Sequence, residues 1–263
     1  MKKLTVLGNC ANQTAEYETA NYILDLGIAK VLLDVGPGAV KQLYKAGFLA
    51  TDIDIIIITH CHGDHTSGFP YFAFSNFMER LQGKNGSSNI PIIALPEVYK
   101  GLMDMLAFCY PPGKFHNFDI ENWPASDSEK KVFKFKNIKI TTTPVMHTVP
   151  AIGVRFDINS TSITFSSDTI YDKRLVDLAR GSKMLVHEAL ATMEMAEIAS
   201  QVKHATAEEA GKAAKESRVQ SLILVHVSPM YREKKEQLIE EASKYFSGEI
   251  ILPSELEEIK IED

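Results

Sequence analysis

The sequence has few cysteines and no long apolar run. Its 263 residues contain three cysteines, Cys10, Cys61 and Cys109, an odd number without CxxC spacing. This pattern does not match a disulfide framework, so we expect a disulfide-free cytoplasmic protein. No apolar stretch approaches the roughly 18 residues that a membrane-spanning helix needs. The N-terminus, in which Gly8 already interrupts the first apolar residues, does not have the pattern of a signal peptide.

The chain also lacks an excess of basic residues and a linker. Its formal net charge of -6 argues against a broad basic surface for nucleic acid, although two bound divalent cations would reverse the field locally. No Gly/Ser/Pro-rich stretch divides the sequence, so we expect one domain over residues 1–263. With 45% hydrophobic and 24% charged residues, the composition is that of a globular protein with a well-buried core.

Strand-like runs alternate with helical patterns in both halves of the sequence. Strands are predicted at residues 4–7, 20–26, 31–34, 53–58, 132–135, 138–142, 152–157, 162–166, 184–187 and 222–226, and helices at residues 39–46 and 205–216. The aromatic segment from residue 69 to residue 118 shows no clear period and is predicted to be irregular. Mixed strands and helices in both halves predict two packed sheets flanked by helices.

Four residues that commonly bind metals lie within the six positions 60–65. They are His60, His62, Asp64 and His65. Side chains two apart on an extended backbone point to the same side, and Gly63 is expected to allow the bend that directs the last two to a second metal. Cys61 is expected to point the other way, into the core. Buried imidazoles and carboxylates need partners, and zinc or another borderline divalent metal would supply them.

Five polar residues each lie at the C-terminal end of a predicted strand. They are Asp34, His60, His147, Asp168 and His226. The carboxyl ends of strands are where ligand sites of α/β folds gather. A structural role is the better explanation for any one of them, but it explains the whole set poorly. His116, by contrast, is expected to be a surface or pocket-lining side chain.

This pattern resembles the metallo-β-lactamase superfamily, whose signature His-x-His-x-Asp-His is followed by a distant His, Asp and His. The matching residues are His60, His62, Asp64, His65, His147, Asp168 and His226, spread over essentially the whole chain. The resemblance implies an α/β fold, a four-layer αβ/βα sandwich with a two-metal site. It further implies one metal on His60, His62 and His147, a second on Asp64, His65 and His226, and Asp168 as the bridge. Asp34 would orient a ligand through a hydrogen bond.

Within that superfamily, the last third of the chain is most similar to the ribonuclease Z group. The motifs are His187-Glu188-Ala189-Leu190, His204-Ala205-Thr206-Ala207-Glu208 and His226-Val227-Ser228-Pro229-Met230-Tyr231. By this resemblance His204 would be the general acid and Glu188 its charge partner, whereas their structural alternatives are a helix-start residue and a surface residue. Met230 replaces an arginine of that group. The chain also lacks the group's protruding arm between His147 and Asp168.

The resemblance implies a dinuclear metal-dependent hydrolase, most similar to a phosphodiesterase. Hydroxide bridging the metals would attack phosphorus or a carbonyl carbon, with Asp64 in the catalytic centre, and His204 would protonate the departing alkoxide. The expected cofactors are two divalent ions, zinc first, with manganese or iron as alternatives. The expected substrate is a small phosphodiester or an RNA end, and the protein could pair into a homodimer. Alternatives are a hydrolase of carboxylic esters, lactones or thioesters, a redox diiron protein, and a non-catalytic metal-binding protein.

Overall fold

Two units, each built around one mixed sheet, make up the computed structural model, which describes residues 2–87, 89–112 and 119–262. The first unit consists of Met1–Gly8, Gln13–Ala125 and Ser254–Glu262. The second consists mainly of Asn9–Asn12 and Ser126–Pro253. Strands and helices therefore alternate in both halves, as the sequence predicts.

The sheet of the first unit has the strand order β14-β1-β2-β3-β4-β5-β6. Strands β3 to β6 run parallel, and β14, β1, β2 and β3 pair antiparallel. The elements are β1 (Lys2–Gly8), β2 (Asn21–Asp25), β3 (Lys30–Leu33), α1 (Ala39–Lys45), β4 (Ile55–Ile57), α2 (Gly63–Thr66), α3 (Phe69–Leu81), β5 (Asn89–Ala94), α4 (Pro96–Cys109), β6 (Asp119–Pro124) and β14 (Glu258–Ile261). Because Leu33 pairs with Ile57, the carboxyl ends of β3 and β4 lie side by side.

The sheet of the second unit has the strand order β13-β12-β11-β10-β9-β8-β7. Its elements are β7 (Lys131–Phe135), β8 (Ile138–Val145), β9 (Ala151–Ile158), β10 (Thr161–Phe165), α5 (Lys173–Ala179), β11 (Met184–Glu188), α6 (Ala196–Gln201), α7 (Ala207–Ser217), β12 (Ser221–Val225), α8 (Lys235–Ser243) and β13 (Glu249–Ile251). Strands β10 to β13 are parallel, so the chain segments that leave β10, β11 and β12 emerge at one edge of this sheet.

Local sequence explains the main elements of this framework. Strand β4 consists of three isoleucines with every side chain buried, as expected of a β-branched run covered on both faces. Helix α7 buries the alanine-rich face that includes Ala210 and Ala214, and a capping box between Thr206 and Glu209 starts it. None of the helices within the described residues is long and apolar enough to cross a membrane.

The segment predicted to be irregular is instead largely regular. Between residues 69 and 112 the chain forms α3, β5 and α4. Helix α3 buries one face, yet Tyr71 on another face is 57% exposed, so aromatic residues occur on both sides and hide the helical period. Pro70 and Pro96 lie in the first turns of α3 and α4, a start signal that the sequence does contain. Each of the other predicted strands and helices is present, with bounds shifted by a few residues.

Candidate metal centre

The first unit gathers four predicted ligands directly after β4. His60 Nε2 lies 3.1 Å from His62 Nδ1, and His65 Nε2 lies 3.2 Å from Asp64 Oδ2. The imidazole rings of His60 and His65 are 4.1 Å apart. Both of these rings are buried, whereas His62 and Asp64 are partly exposed. The cluster is therefore buried on the side of His60 and His65 and accessible to solvent on the side of His62 and Asp64.

One buried carboxylate orients two of these imidazoles. Asp34 Oδ2 accepts from His65 Nδ1 at 2.8 Å and from the Thr59 hydroxyl at 2.9 Å, while Asp34 Oδ1 accepts from the Thr59 backbone N–H at 2.8 Å. Because the Thr59 hydroxyl donates to Asp34, its oxygen accepts a hydrogen bond from the His60 Nδ1–H at 3.0 Å. This fixes the tautomer of both rings, with Nε2 as the nitrogen that would bind an ion.

The backbone near Asp64 is held by close contacts with the segment before β2 and with the loop after β3. The Thr19 hydroxyl donates to the Asp64 carbonyl at 2.8 Å, and a Cβ on Gly36 would lie only 2.0 Å from that carbonyl oxygen. Glycine is therefore required at position 36. The expectation that Gly63 supplies a special bend is wrong, because it starts α2 without a positive φ and a Cβ there would meet nothing within 4 Å.

The second unit gathers the remaining predicted residues at the edge where β10, β11 and β12 end. His226 Nε2 lies 3.1 Å from Asp168 Oδ2, and the His204 ring is 4.9 Å from both the His147 and His226 rings. His147 Nδ1 donates to the Lys203 carbonyl at 3.0 Å, which again leaves Nε2 as the ion-binding nitrogen. His226 and Lys203 have φ values of 53° and 58°, in the left-handed region that non-glycine residues rarely adopt.

His204 is held by a carboxylate that is inaccessible to solvent. Glu188 Oε1 accepts from His204 Nδ1 at 2.9 Å and from the Thr169 N–H at 2.5 Å, and Oε2 accepts from the Ala205 N–H at 3.1 Å. Burial raises the pKa of Glu188, and the charge of His204 acts in the opposite direction. With Nδ1 engaged, His204 Nε2 is the nitrogen that can deliver a proton.

The donor atoms in each unit fit a borderline divalent metal. Neighbouring donors in the two clusters lie 3.1 to 3.2 Å apart. Two ligands bound to zinc at about 2.0–2.1 Å in a tetrahedral site would be about 3.3 Å apart. Imidazole nitrogens and carboxylate oxygens are the donors that such ions take, and His60, His65 and His147 each have an orienting partner at Nδ1. These His/Asp clusters support divalent metal binding.

The predicted site residues fall into these two clusters. In the first unit they are His60, His62, Asp64 and His65 with Asp34, and in the second His147, Asp168, Glu188, His204 and His226. The expectation that Cys61 points into the core is wrong, since it is exposed. His116 lies outside the described residues. The sequence did not reveal Thr59, Lys203 and Thr169, because they act through a hydroxyl or a backbone group whose partner is set by the fold.

Comparison with solved structures defines the class. The chain superposes on YhfI, a metallo-β-lactamase fold protein from Bacillus subtilis, with a TM-score of 0.82 and 19% identity, covering 98% of each chain. It superposes on the short form of human tRNase Z with a TM-score of 0.81 and 20% identity, covering 99% of this chain and 100% of the other. The protein has the metallo-β-lactamase fold, an α/β fold with two mixed sheets flanked by helices.

Sequence comparison defines the family. The chain belongs to the family described as Anti-Pycsar protein Apyc1, whose model matches residues 2–245. A ribonuclease Z of Ignicoccus hospitalis is 28% identical over 298 aligned positions, which cover 93% of this chain and 93% of that protein. The alignment is longer than this chain of 263 residues, so that relative contains residues that this chain lacks. The protein is a metal-dependent hydrolase.

Proposed function

We propose that this protein is a phosphodiesterase in which His204 is the general acid. The observation that supports the proposal most directly is the hydrogen bond between His204 and the buried Glu188. A general acid is most useful when the leaving group is a poor one, such as an alkyl or ribose alkoxide. Phosphodiesters have such leaving groups, whereas a thioester releases a thiolate, which departs without a general acid.

The proposed ligands follow the order of the metallo-β-lactamase signature. His60, His62 and His147 hold one ion, Asp64, His65 and His226 hold the other, and Asp168 is shared. The short distances between donor atoms of His60 and His62, of Asp64 and His65, and of Asp168 and His226 support the assignment of each pair to a common ion. Two divalent ions, when bound, activate water for attack and neutralise charge on the phosphate oxygens.

His204 handles the proton of the leaving group. The P–O bond to the alkoxide breaks, and a proton passes from His204 Nε2 to that oxygen. Glu188 keeps the ring oriented through Nδ1 and stabilises its protonated form. Thr169 and Ala205 hold the carboxylate in turn, so the catalytic ring is preorganised by neighbours that themselves have fixed positions.

The chain between His147 and Asp168 favours a small substrate. Its residues are all described, and they form the β9–β10 hairpin with a connection at Asn159–Ser160. A hairpin of this size offers no arm to grip transfer RNA, and Met230, which is 55% exposed, offers no charge to phosphate. We therefore favour a small cyclic or linear phosphodiester, with an RNA end as the second candidate.

The test compares two leaving groups in one variant. His204→Ala should slow hydrolysis of a dinucleotide, which has an alkoxide leaving group, by roughly 10²–10⁴-fold. Hydrolysis of bis(p-nitrophenyl) phosphate should change little, because nitrophenolate departs without a proton. Glu188→Gln should show the same selectivity to a smaller degree, since it retains the shape of the carboxylate.

Equal losses on the two substrates would contradict the role of His204. Activity confined to lactones or thioesters would replace the phosphodiesterase proposal with the ester alternative. A zinc-loaded protein that cleaves no ester at all would favour a non-catalytic binding protein.

Further properties stay predictions. We propose zinc as the metal, which elemental analysis of the purified protein would test against manganese and iron. Analytical ultracentrifugation would test the homodimer. The cytoplasmic location and a single domain over residues 1–263 are also predictions.

A further inference from the structure

A short N-terminal segment pairs with the chain next to the proposed ligand His226. Asn9–Asn12 follows β1 in sequence but belongs to the second unit. Cys10 forms a parallel β-bridge with Val227, the Val227 N–H donates to the Asn9 carbonyl at 3.1 Å, and the Ala11 N–H donates to the Val227 carbonyl at 3.0 Å. The segment thus runs alongside the chain where it leaves β12.

The Asn9 side chain adds a second set of contacts. It is fully buried, its Oδ1 accepts from the His226 backbone N–H at 3.1 Å, and its Nδ2 donates to the Pro253 carbonyl at 3.1 Å. Both ends of the amide are therefore used, and this fixes its orientation. A flipped amide would place a donor against the His226 N–H and an acceptor against the Pro253 carbonyl.

These contacts hold a backbone conformation that is unfavourable by itself. His226 has a φ of 53°, directly after β12 ends at Val225. Asn9 accepts hydrogen bonds from two consecutive backbone N–H groups. The His226 N–H donates to its side-chain Oδ1, and the Val227 N–H donates to its backbone carbonyl. A residue other than glycine keeps a left-handed backbone only where several contacts hold it there, and for His226 Asn9 supplies such contacts.

We infer that Asn9 is a positioning residue for the His226 imidazole. It fixes the direction in which the His226 side chain leaves the backbone, and so sets the geometry of one metal site. The inference depends on the proposed role of His226 as a ligand. A residue that acts on the backbone of one ligand should affect the ion that this ligand holds and leave the other ion unchanged.

The test measures metal binding, without a substrate. Wild-type protein and Asn9→Ala are loaded with two zinc ions and titrated with the chromophoric chelator 4-(2-pyridylazo)resorcinol. Asn9→Ala should release one ion at roughly 10–100-fold lower chelator concentration, as is typical when a residue that orients a ligand is lost. The second ion should be released as in wild type. Asn9→Asp retains the oxygen that accepts from His226 but turns an acceptor towards the Pro253 carbonyl, so it should bind this ion more tightly than Asn9→Ala and less tightly than wild type.

The matched control is Asn76→Ala. Asn76 is another buried asparagine with both amide ends used, donating to the Ala50 carbonyl at 3.3 Å and accepting from Arg80 at 3.0 Å, but it contacts no predicted ligand. It should lose thermal stability without a change in either zinc affinity. If Asn9→Ala does not fold, Asn9→Ser, which is too short to reach both partners, takes its place.

Two outcomes would overturn the inference. One is a release curve of Asn9→Ala that matches wild type, and the other is equal weakening of both ions. The visible spectrum of the cobalt-loaded protein gives an independent reading, because only one of two cobalt sites should change. A wild-type protein that binds two ions but cleaves no phosphodiester would refute the proposed function and leave this inference intact.

Discussion

At the scale of single residues, the orienting partners define the site as much as the ligands do. The Asp34 carboxylate reaches His65 directly and His60 through the Thr59 hydroxyl. In the proposed assignment those two imidazoles bind different ions. A change at this one carboxylate should therefore weaken both ions, whereas a change at Asn9 should weaken one.

Asp34→Asn tests this role with little change in shape. Asparagine tolerates the left-handed backbone that Asp34 adopts, with a φ of 58°, so the effect comes from the side chain, which loses its charge and one of its two acceptor oxygens. We expect the affinity for both ions to fall by roughly 10–100-fold. Chelator titration of the zinc-loaded variant measures it. Loss of one ion only would contradict the shared role of Asp34.

A buried imidazole outside the proposed centre should make the fold sensitive to acid. His187 in β11 is fully buried, and burial lowers its pKa to about 4, although its hydrogen bond to the Glu188 carbonyl acts in the other direction. The unfolded chain takes up this proton near pH 6.5, and the native state does not until about pH 4. The contribution of neutral His187 to the free energy of unfolding is therefore fully present above about pH 6.5, and about 3 kcal/mol of it is lost as the pH falls to about 4.

His187→Leu should remove this acid sensitivity. Urea unfolding of the metal-free protein at pH 7.5 and pH 5 measures it, with about 2 kcal/mol of the loss expected in wild type by pH 5. The variant should lose less stability than wild type between the same two pH values. An equal loss would show that other groups are responsible.

At the scale of elements, α7 links the acid–base pair to the rest of the second unit. The helix begins at Ala207, shortly after His204, and its capping box joins the Thr206 hydroxyl to the Glu209 N–H and the Glu209 carboxylate to the Thr206 N–H. The cap that starts α7 therefore lies only two residues after His204 in the chain.

Removing this cap should destabilise the protein measurably. Thr206→Ala should lower the free energy of unfolding by about 1 kcal/mol, because the first turn loses the acceptor for a backbone N–H. Thr206→Ser retains the hydroxyl and should be close to wild type. Thermal unfolding of the two variants compares them, and equal destabilisation by alanine and serine would show that the methyl group matters more than the cap.

The sequence predicted most elements because their signals are local. The three isoleucines of β4 and the alanine-rich pattern of α7 point to their structures without knowledge of the fold. Helices α3 and α4 were missed because aromatic side chains occur on more than one of their faces. Likewise the motif spacing predicted His60 and His226, whereas Asn9 and Thr59 depend on contacts that exist only once the strands have paired.

At the scale of the whole molecule, bound metal should stabilise the native state. A ligand that binds only the native state at about 100 times its Kd adds about 2.7 kcal/mol. For a protein of this size that corresponds to a rise in Tm of roughly 5–10 °C. Differential scanning calorimetry with and without a chelator measures it. His226→Ala should show a smaller shift, and a shift as large as that of wild type would exclude His226 as a ligand.

The left-handed residues beside the strand ends have a consequence for laboratory evolution. Asp34, Ser167 and His226 have φ values of 58°, 61° and 53°, and glycine would adopt each of these conformations without strain. In the metal-free protein, glycine at His226 would relieve this backbone strain, whereas glycine at Asp34 would leave the Thr59 and His65 donors without their acceptor. A library selected for heat tolerance in the presence of a chelator should therefore accept glycine at His226 and keep Asp34, while selection with metal present should retain both residues.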